Sequence, residues 1–331
     1  MPRKPAAAMR HPMIRVAILD DYQCMALQLA DWQSLHPRAQ MTAFSDHLDD
    51  EDEVAQRLHV FECAVLMRER TPFPASLLAK LPNLQLIVTA GMRNAAIDVA
   101  AATERKVQVC GTDMLPYPTA ELAWGLILAL FRHIAAEDRA AREGRWQTTL
   151  GIGLKGKTLG LVGLGRLGGQ VAAIGKAFGM DVIAWSQNLT AERAAAAGAA
   201  LVAKDALFAR ADVVSVHLVL SPRSRGLVGA AEIGRMKRSA FLVNTSRGPI
   251  VDEEALLTAL RERRIAGAGL DVFEPEPLPK DHPVLALDNV VITPHLGYVT
   301  EENYRLLYAQ AVDGIRAFLD GKPLRPLNQL T

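Results

Sequence analysis

Six residues, Gly163-Leu164-Gly165-Arg166-Leu167-Gly168, constrain this chain more than any others, because of what flanks them. The preceding Thr158-Leu159-Gly160-Leu161-Val162 is a short apolar run that reads as a buried strand. Beyond it Leu167, Val171, Ile174 and Phe178 recur at helical period, and Gly179 stands where that helix would end. A bare G-x-G-x-x-G says little, but between a strand and a helix it is the fingerprint of a dinucleotide-binding turn. Gly163 permits the tight turn, Gly165 lets the backbone approach a pyrophosphate, and Gly168 lets the helix pack closely on the strand. The helix N-terminus, opening at Arg166 and Leu167, then offers N–H groups and partial positive charge to phosphates.

At 331 residues the chain exceeds what one hydrophobic core usually serves, so two domains are expected. Half of its residues are hydrophobic and 22% are charged, a balance that suits a globular enzyme rather than a disordered chain. A formal net charge of +1 gives no electrostatic case for nucleic acid or for an anionic membrane surface. Cys24, Cys63 and Cys110 are odd in number, far apart and set in apolar sequence. They read as buried thiols in a reducing compartment, with neither a metal site nor a disulfide framework. No apolar run reaches the ~18 residues of a membrane span. Residues 1–12 carry Arg3, Lys4 and Arg10 without an apolar core, so they read as a tail and not a secretory signal. The expected location is the cytoplasm.

Strand patterns at Ile14–Leu19, Cys63–Met67, Leu84–Thr89 and Val107–Cys110 alternate with helical patterns at Val54–His59, Pro74–Lys80 and Asp98–Arg105. Such alternation implies parallel β-α units in an open α/β domain. Gly111 to Pro118, with two prolines, breaks the pattern and reads as a hinge. One long helix is expected from Thr119 to about Arg142; its Leu122–Phe131 stretch reads as a core or interface face. A Gly-rich loop follows, and a second α/β series starts at Thr158. Its later strands are expected at Val182–Trp185, Ala200–Val202, Val213–Leu218, Phe241–Asn244, Ala268–Val272 and Val290–Ile292. Asp252 is placed to N-cap a helix bearing Leu256, Leu257 and Leu260. A last amphipathic helix, about Glu301 to Leu319, has no strand after it and is expected to fold back onto the first domain. The expected fold is therefore α/β with two open parallel-sheet domains. A flavodoxin-like substrate domain (13–113 and 297–331) is split in sequence by an inserted Rossmann nucleotide-binding domain (114–296), and the active site is expected between the two.

Three polar residues stand where strands of the second series give way to loops: Arg247, Glu276 and His295. Ligands of open α/β sheets bind outside the carboxyl ends of strands. Reduction of a 2-keto acid needs a cation to hold the carboxylate and polarise the carbonyl, and the planar fork of Arg does both. It also needs a proton delivered to the oxygen as hydride reaches carbon, which suits His. A neighbouring carboxylate favours imidazolium and orients the ring. At the end of the second strand, where nicotinamide-binding Rossmann domains often place an acid, the chain reads Ser186-Gln187-Asn188. The choice between NAD and NADP is open on this reading.

The chain resembles the D-isomer-specific 2-hydroxyacid dehydrogenases over nearly its whole length after about Met13. The resemblance is carried by Leu154 to Gly168, by Val243-Asn244-Thr245-Ser246-Arg247-Gly248-Pro249-Ile250-Val251-Asp252, by Gly269 to Pro277 and by Thr293-Pro294-His295-Leu296-Gly297. It implies an Arg247 that acts in catalysis, a Glu276–His295 proton relay and an Asp271 near the nicotinamide carboxamide. The expected cofactor positions are Gly163, Gly165, Arg166, Leu167, Gly168, Ser186, Gln187, Thr245 and Asp271. The expected partner is a small 2-hydroxy or 2-keto acid, and the resemblance implies a homodimer formed largely through the nucleotide domain.

Departures from the family pattern bear on the substrate. Where the family often has Gly-x-Asp-Asn-Ile-Asp, this chain reads Gly91-Met92-Arg93-Asn94-Ala95-Ala96-Ile97-Asp98. Gly91, Met92 and Arg93 are accordingly substrate candidates, with Arg68 and its neighbour Arg70 after the Cys63–Met67 strand. Val219 replaces the usual Pro after His217-Leu218. Two alternatives stand beside the dehydrogenase reading. Pro279-Lys280-Asp281-His282-Pro283 suggests a formate dehydrogenase, but those enzymes resemble this one with Gln in place of the acid at Glu276. A dinucleotide-sensing scaffold or corepressor would keep the fold and lack turnover.

Overall fold

The computed structural model describes residues 13–330, so the expected tail lies outside the described residues. In chain order the strands are β1 (Ile14–Ile18), β2 (Ala39–Ala43), β3 (Cys63–Leu66), β4 (Leu86–Thr89), β5 (Gln108–Gly111), β6 (Thr158–Val162), β7 (Asp181–Trp185), β8 (Ala200–Leu201), β9 (Val213–Val216), β10 (Phe241–Asn244), β11 (Gly267–Leu270) and β12 (Val290–Ile292). The helices are α1 (Glu51–Leu58), α2 (Ala75–Ala79), α3 (Val99–Glu104), α4 (Pro118–Phe131), α5 (Ile134–Arg142), α6 (Arg166–Ala177), α7 (Ala191–Ala196), α8 (Lys204–Arg210), α9 (Ala230–Arg235), α10 (Glu253–Arg261) and α11 (Glu301–Leu319). Two compact units result among the described residues: 13–115 together with 300–330, and Pro116–Val299. The divisions thus fall at 115/116 and 299/300, slightly beyond the 113/114 and 296/297 read from sequence.

The split unit holds a parallel sheet of order β2-β1-β3-β4-β5, the flavodoxin-like order. Strands β3, β4 and β5 are buried along their whole length, which is why they read as continuous apolar runs. Leu58, Leu66, Leu77, Leu78, Ile87 and Val109 share one core cluster with α1–α3. Helix α11 buries Tyr304, Leu307, Tyr308, Ala311, Val312 and Ile315 and packs on β4. Thr300 caps it by accepting from the Asn303 N–H, and Asn303 Oδ1 in turn accepts from the Leu115 N–H at 2.9 Å. Of the expected buried thiols, Cys63 and Cys110 are buried, and burial pushes the Cys110 thiol up to about 11. Cys24 is exposed instead, because it lies in a turn off the end of β1 and not in a strand.

The continuous unit holds seven parallel strands in the order β12-β11-β10-β9-β6-β7-β8. Chain direction across the sheet reverses between β6 and β9, the place where ligands settle in such sheets. Alternate residues of each strand feed opposite faces. Leu161, Val182, Ala184 and Val243 pack with α4 and α6, while Val162, Ile183, Val214 and Leu242 pack with α8–α10. Asp252 caps α10 by accepting from the Ala255 N–H. The long helix expected from Thr119 to Arg142 is two helices, α4 and α5, bent by 62°. The break sits at Arg132-His133, where His133 takes φ +52°, and apolar sequence stops at Phe131. Most of α4 is core: Ala123, Trp124, Leu126, Ile127, Leu130 and Phe131 are buried. Among the described residues no single helix is long and apolar enough to cross a membrane.

Candidate active site

The glycine turn between β6 and α6 leaves no room for side chains at two of its positions. Gly163 has φ +101°, and a Cβ there would stand 2.3 Å from the His217 carbonyl oxygen. A Cβ at Gly168 would stand 2.3 Å from the Gly163 carbonyl oxygen. Nothing lies within 4 Å of where a Cβ of Gly165 would be, so the turn is open there. Gly165 caps α6 without a side-chain bond, and Arg166 is exposed at the first helical position. Leu167 is half-buried against the α4–α6 core. Two buried polar atoms without a hydrogen-bond partner stand at the carboxyl ends of neighbouring strands, Thr245 Oγ1 after β10 and His217 Nδ1 after β9. An open cradle, a helix N-terminus with no side-chain cap and two orphaned polar atoms fit a dinucleotide. His217 escaped the sequence reading. Only Val219 beside it drew notice, and nothing in the local pattern tells that the ring is buried with one nitrogen satisfied by Ser215 Oγ at 2.9 Å.

Arg247, Glu276 and His295 follow three adjoining strands, β10, β11 and β12. Asn244, 1% exposed, shapes the first of these turns: its Nδ2 donates to the Arg247 carbonyl at 2.9 Å and its Oδ1 accepts from the Ser246 N–H at 3.0 Å. Arg247 Nη1 donates to the Ser246 carbonyl at 2.7 Å. Gly248 then passes so close to Phe273 that a Cβ would be 2.5 Å from its carbonyl carbon. Glu276 is fixed at both oxygens. Oε1 accepts from the Phe273 N–H at 2.7 Å, and Oε2 lies 2.5 Å from His295 Nδ1. That contact turns His295 Nε2 away from the carboxylate, and the ring packs edge-on against Tyr298 at 5.4 Å.

His295 has φ +55°, a conformation that costs a non-glycine residue of order 1–3 kcal/mol unless its surroundings enforce it. Asp271 enforces it. This fully buried carboxylate accepts from Thr293 Oγ1 at 2.6 Å, from the Leu296 N–H at 2.7 Å and from the Gly297 N–H at 2.9 Å, so it grips the loop on both sides of the imidazole. Burial holds the Asp271 carboxyl above its usual range, against the opposing pull of those donors.

The remaining candidates lie in the split unit. Arg68, with φ +58° after β3, donates to Met114 Sδ at 3.0 Å and reaches Glu69 at 3.5 Å. Its Nη1 would lie 2.7 Å from a Cβ at Gly91, so Arg68 and Gly91 are brought together. The Gly91 N–H donates to Thr112 Oγ1 at 3.0 Å. Asn94 ties this loop down through the Arg68 carbonyl and Thr89 Oγ1, while Met92 and Arg93 stand exposed. Arg70 turns to the Asp20 carbonyl at 2.8 Å and lies over the Tyr22 ring. Ser186 and Gln187 form a turn after β7 that is closed by Leu189 N–H donating to the Ser186 carbonyl at 3.1 Å. In the Pro279–Pro283 segment, His282 caps a turn through Val284 and pairs with Glu253 at 3.1 Å, a structural use. Among the described residues no group of three metal-ligating side chains could hold an ion.

Residues 124–297 match the family model described as D-isomer specific 2-hydroxyacid dehydrogenase, NAD binding domain. A glyoxylate reductase of Aeropyrum pernix is 41% identical over 74% of this chain and 76% of its own length. A D-3-phosphoglycerate dehydrogenase of Methanocaldococcus jannaschii is 40% identical over 78% of this chain, which spans 50% of that longer protein. The crystal structure of a phosphoglycerate oxidoreductase from Vibrio cholerae superposes with a TM-score of 0.90 at 38% identity, covering 93% of this chain and all of that one. With its fingerprint turn, its two parallel sheets and these relatives, the chain belongs to the D-isomer specific 2-hydroxyacid dehydrogenases, oxidoreductases with an NAD-binding domain.

Proposed function

We propose that the protein interconverts a small 2-keto acid and the corresponding D-2-hydroxy acid, with Arg247 as carboxylate anchor and His295, supported by Glu276, as proton donor and acceptor. The observation that carries this reading is the Glu276–His295 contact at 2.5 Å, on a loop locked by Asp271 beside the Arg247 turn. Gly163, Gly165, Arg166, Leu167, Gly168, Ser186, Gln187 and Thr245 would hold the dinucleotide, which when bound supplies or accepts the hydride at its nicotinamide ring. In the reductive direction His295 Nε2 gives its proton to the carbonyl oxygen as the carbon gains hydride, and the imidazole is left neutral. Glu276 holds Nδ1 throughout, so the ring neither flips nor changes tautomer. The Arg247 fork neutralises the substrate carboxylate and draws charge toward the carbonyl. Arg68, Gly91, Met92 and Arg93 are the residues proposed to choose the substrate. Because the Gly91 N–H is bonded to Thr112, its part is to shape the loop that presents Met92 and Arg93.

The test is a panel of glyoxylate, hydroxypyruvate, pyruvate and 3-phosphohydroxypyruvate, each with NADH and with NADPH. Turnover of at least one is expected, and His295→Gln should lower kcat by about 10²–10⁴-fold, the usual worth of a general acid. Nucleotide binding without turnover of any keto acid would favour the scaffold reading.

A further inference from the structure

We infer that the adenosine end of the nucleotide site accepts a 2′-phosphate, so that the protein works with NADPH at least as readily as with NADH. The inference rests on the nucleotide-binding reading above and concerns the turn after β7, between β6 and β8 in the sheet. An acid at this turn would grip the two ribose hydroxyls of NAD and repel a phosphate. The turn here offers Ser186, Gln187 and Asn188, with Ser186 half-buried and both amides exposed at its tip. An amide nitrogen carries two donors and a hydroxyl one, and these bind a phosphate dianion more strongly than a neutral ribose hydroxyl.

The surroundings add positive charge. In a parallel sheet each following helix begins at the carboxyl edge, so the helices after β6 and β8 begin on either side of this turn. Their first residues are Arg166, which is exposed and supplies the positive charge, and Lys204, whose charge is shared with Glu232. Lys204 Nζ stands 5.8 Å from the Trp185 ring centre, at the last residue of β7. The nearby carboxylates are spoken for. Glu232 divides its oxygens between Lys204 at 2.8 Å and the Gly229 N–H at 3.0 Å. Glu192 is turned back on the start of α7, accepting from Thr190 and from its own backbone. Asp181 lies at the opposite end of β7, four residues away along an extended strand.

The deciding experiment is calorimetric titration of the intact, nucleotide-free protein with adenosine 2′,5′-bisphosphate and, separately, with 5′-AMP, which differ only by the phosphate in question. The bisphosphate should bind at least about tenfold more tightly, as charge-assisted hydrogen bonds imply. Ser186→Asp should reverse the preference, weakening the bisphosphate about tenfold or more relative to 5′-AMP, and Gln187→Arg should tighten the bisphosphate, with thermal melts showing that both variants fold. Equal affinities, or tighter 5′-AMP, would overturn the inference and leave nucleotide binding intact. Binding of neither ligand would remove the nucleotide site itself, and the inference with it.

Discussion

Asp271 shows how much a single residue can organise. Resemblance places it near the nicotinamide carboxamide, and both of its oxygens also accept bonds around His295, from Thr293, Leu296 and Gly297. Asp271→Asn keeps the volume but turns one acceptor into a donor facing N–H groups. Each buried group left unsatisfied costs about 1–3 kcal/mol. The variant should therefore lose stability on that order, and kcat should fall about tenfold or more because the His295 loop is no longer held. Dinucleotide affinity should change little; measured together, Kd and kcat separate a loop anchor from a cofactor contact. At this scale the placement of Arg247, Glu276 and His295 in the loops that follow β10, β11 and β12 was legible, since short motifs carry them. The grip of Asp271 was not, because it depends on the left-handed backbone of His295, and neither was the burial of His217.

The elements were legible wherever apolar runs were long or buried on both faces, as in β3, β4, β6 and β10, and where caps were explicit, as at Asp252. Strand β2, an edge strand with only β1 to pair with, was missed because its alternation rests on Ala39, Met41 and Ala43, none of them β-branched or aromatic. Helices α8 and α9 were missed because they open at Ala203 and Gly229 with no side-chain cap bond, whereas the equally short α2 and α3 open at Pro74 and Asp98. The α4–α5 bend carries no Gly or Pro to announce it; a left-handed His133 does the work. At the end of β9, burial drives the His217 ring down to about 4 from 6.5. A histidine depressed in the folded state leaves stability intact above pH 6.5, and stability is lost as pH falls from there toward 4. The shift corresponds to roughly 3 kcal/mol at full development. Urea unfolding at about pH 7.5 and 5 should show this acid loss in the wild type and a smaller one in His217→Gln.

For the whole molecule, the loop after α5 presents Trp146 at 82% exposure and Leu150 at 91%, both within the continuous unit. The resemblance implies a homodimer, and if one forms, burial of these two side chains against a second copy is the expected contact. Light scattering should give a dimer mass for the wild type, and Trp146→Glu combined with Leu150→Glu should shift it toward the monomer without lowering the melting temperature of the isolated protomer. A wild-type monomer at micromolar concentration would remove the dimer. The position of α11 has a different consequence, one of timing. A ribosome releases the five strands of the split unit first, then the 184 residues Pro116–Val299, and only afterwards the helix that shields β4. At the usual 5–20 residues per second that leaves an apolar sheet face bare for roughly 10–40 seconds. The interrupted unit is thus born sticky and must be sheltered until its last helix arrives, whereas the uninterrupted one can finish folding as it emerges.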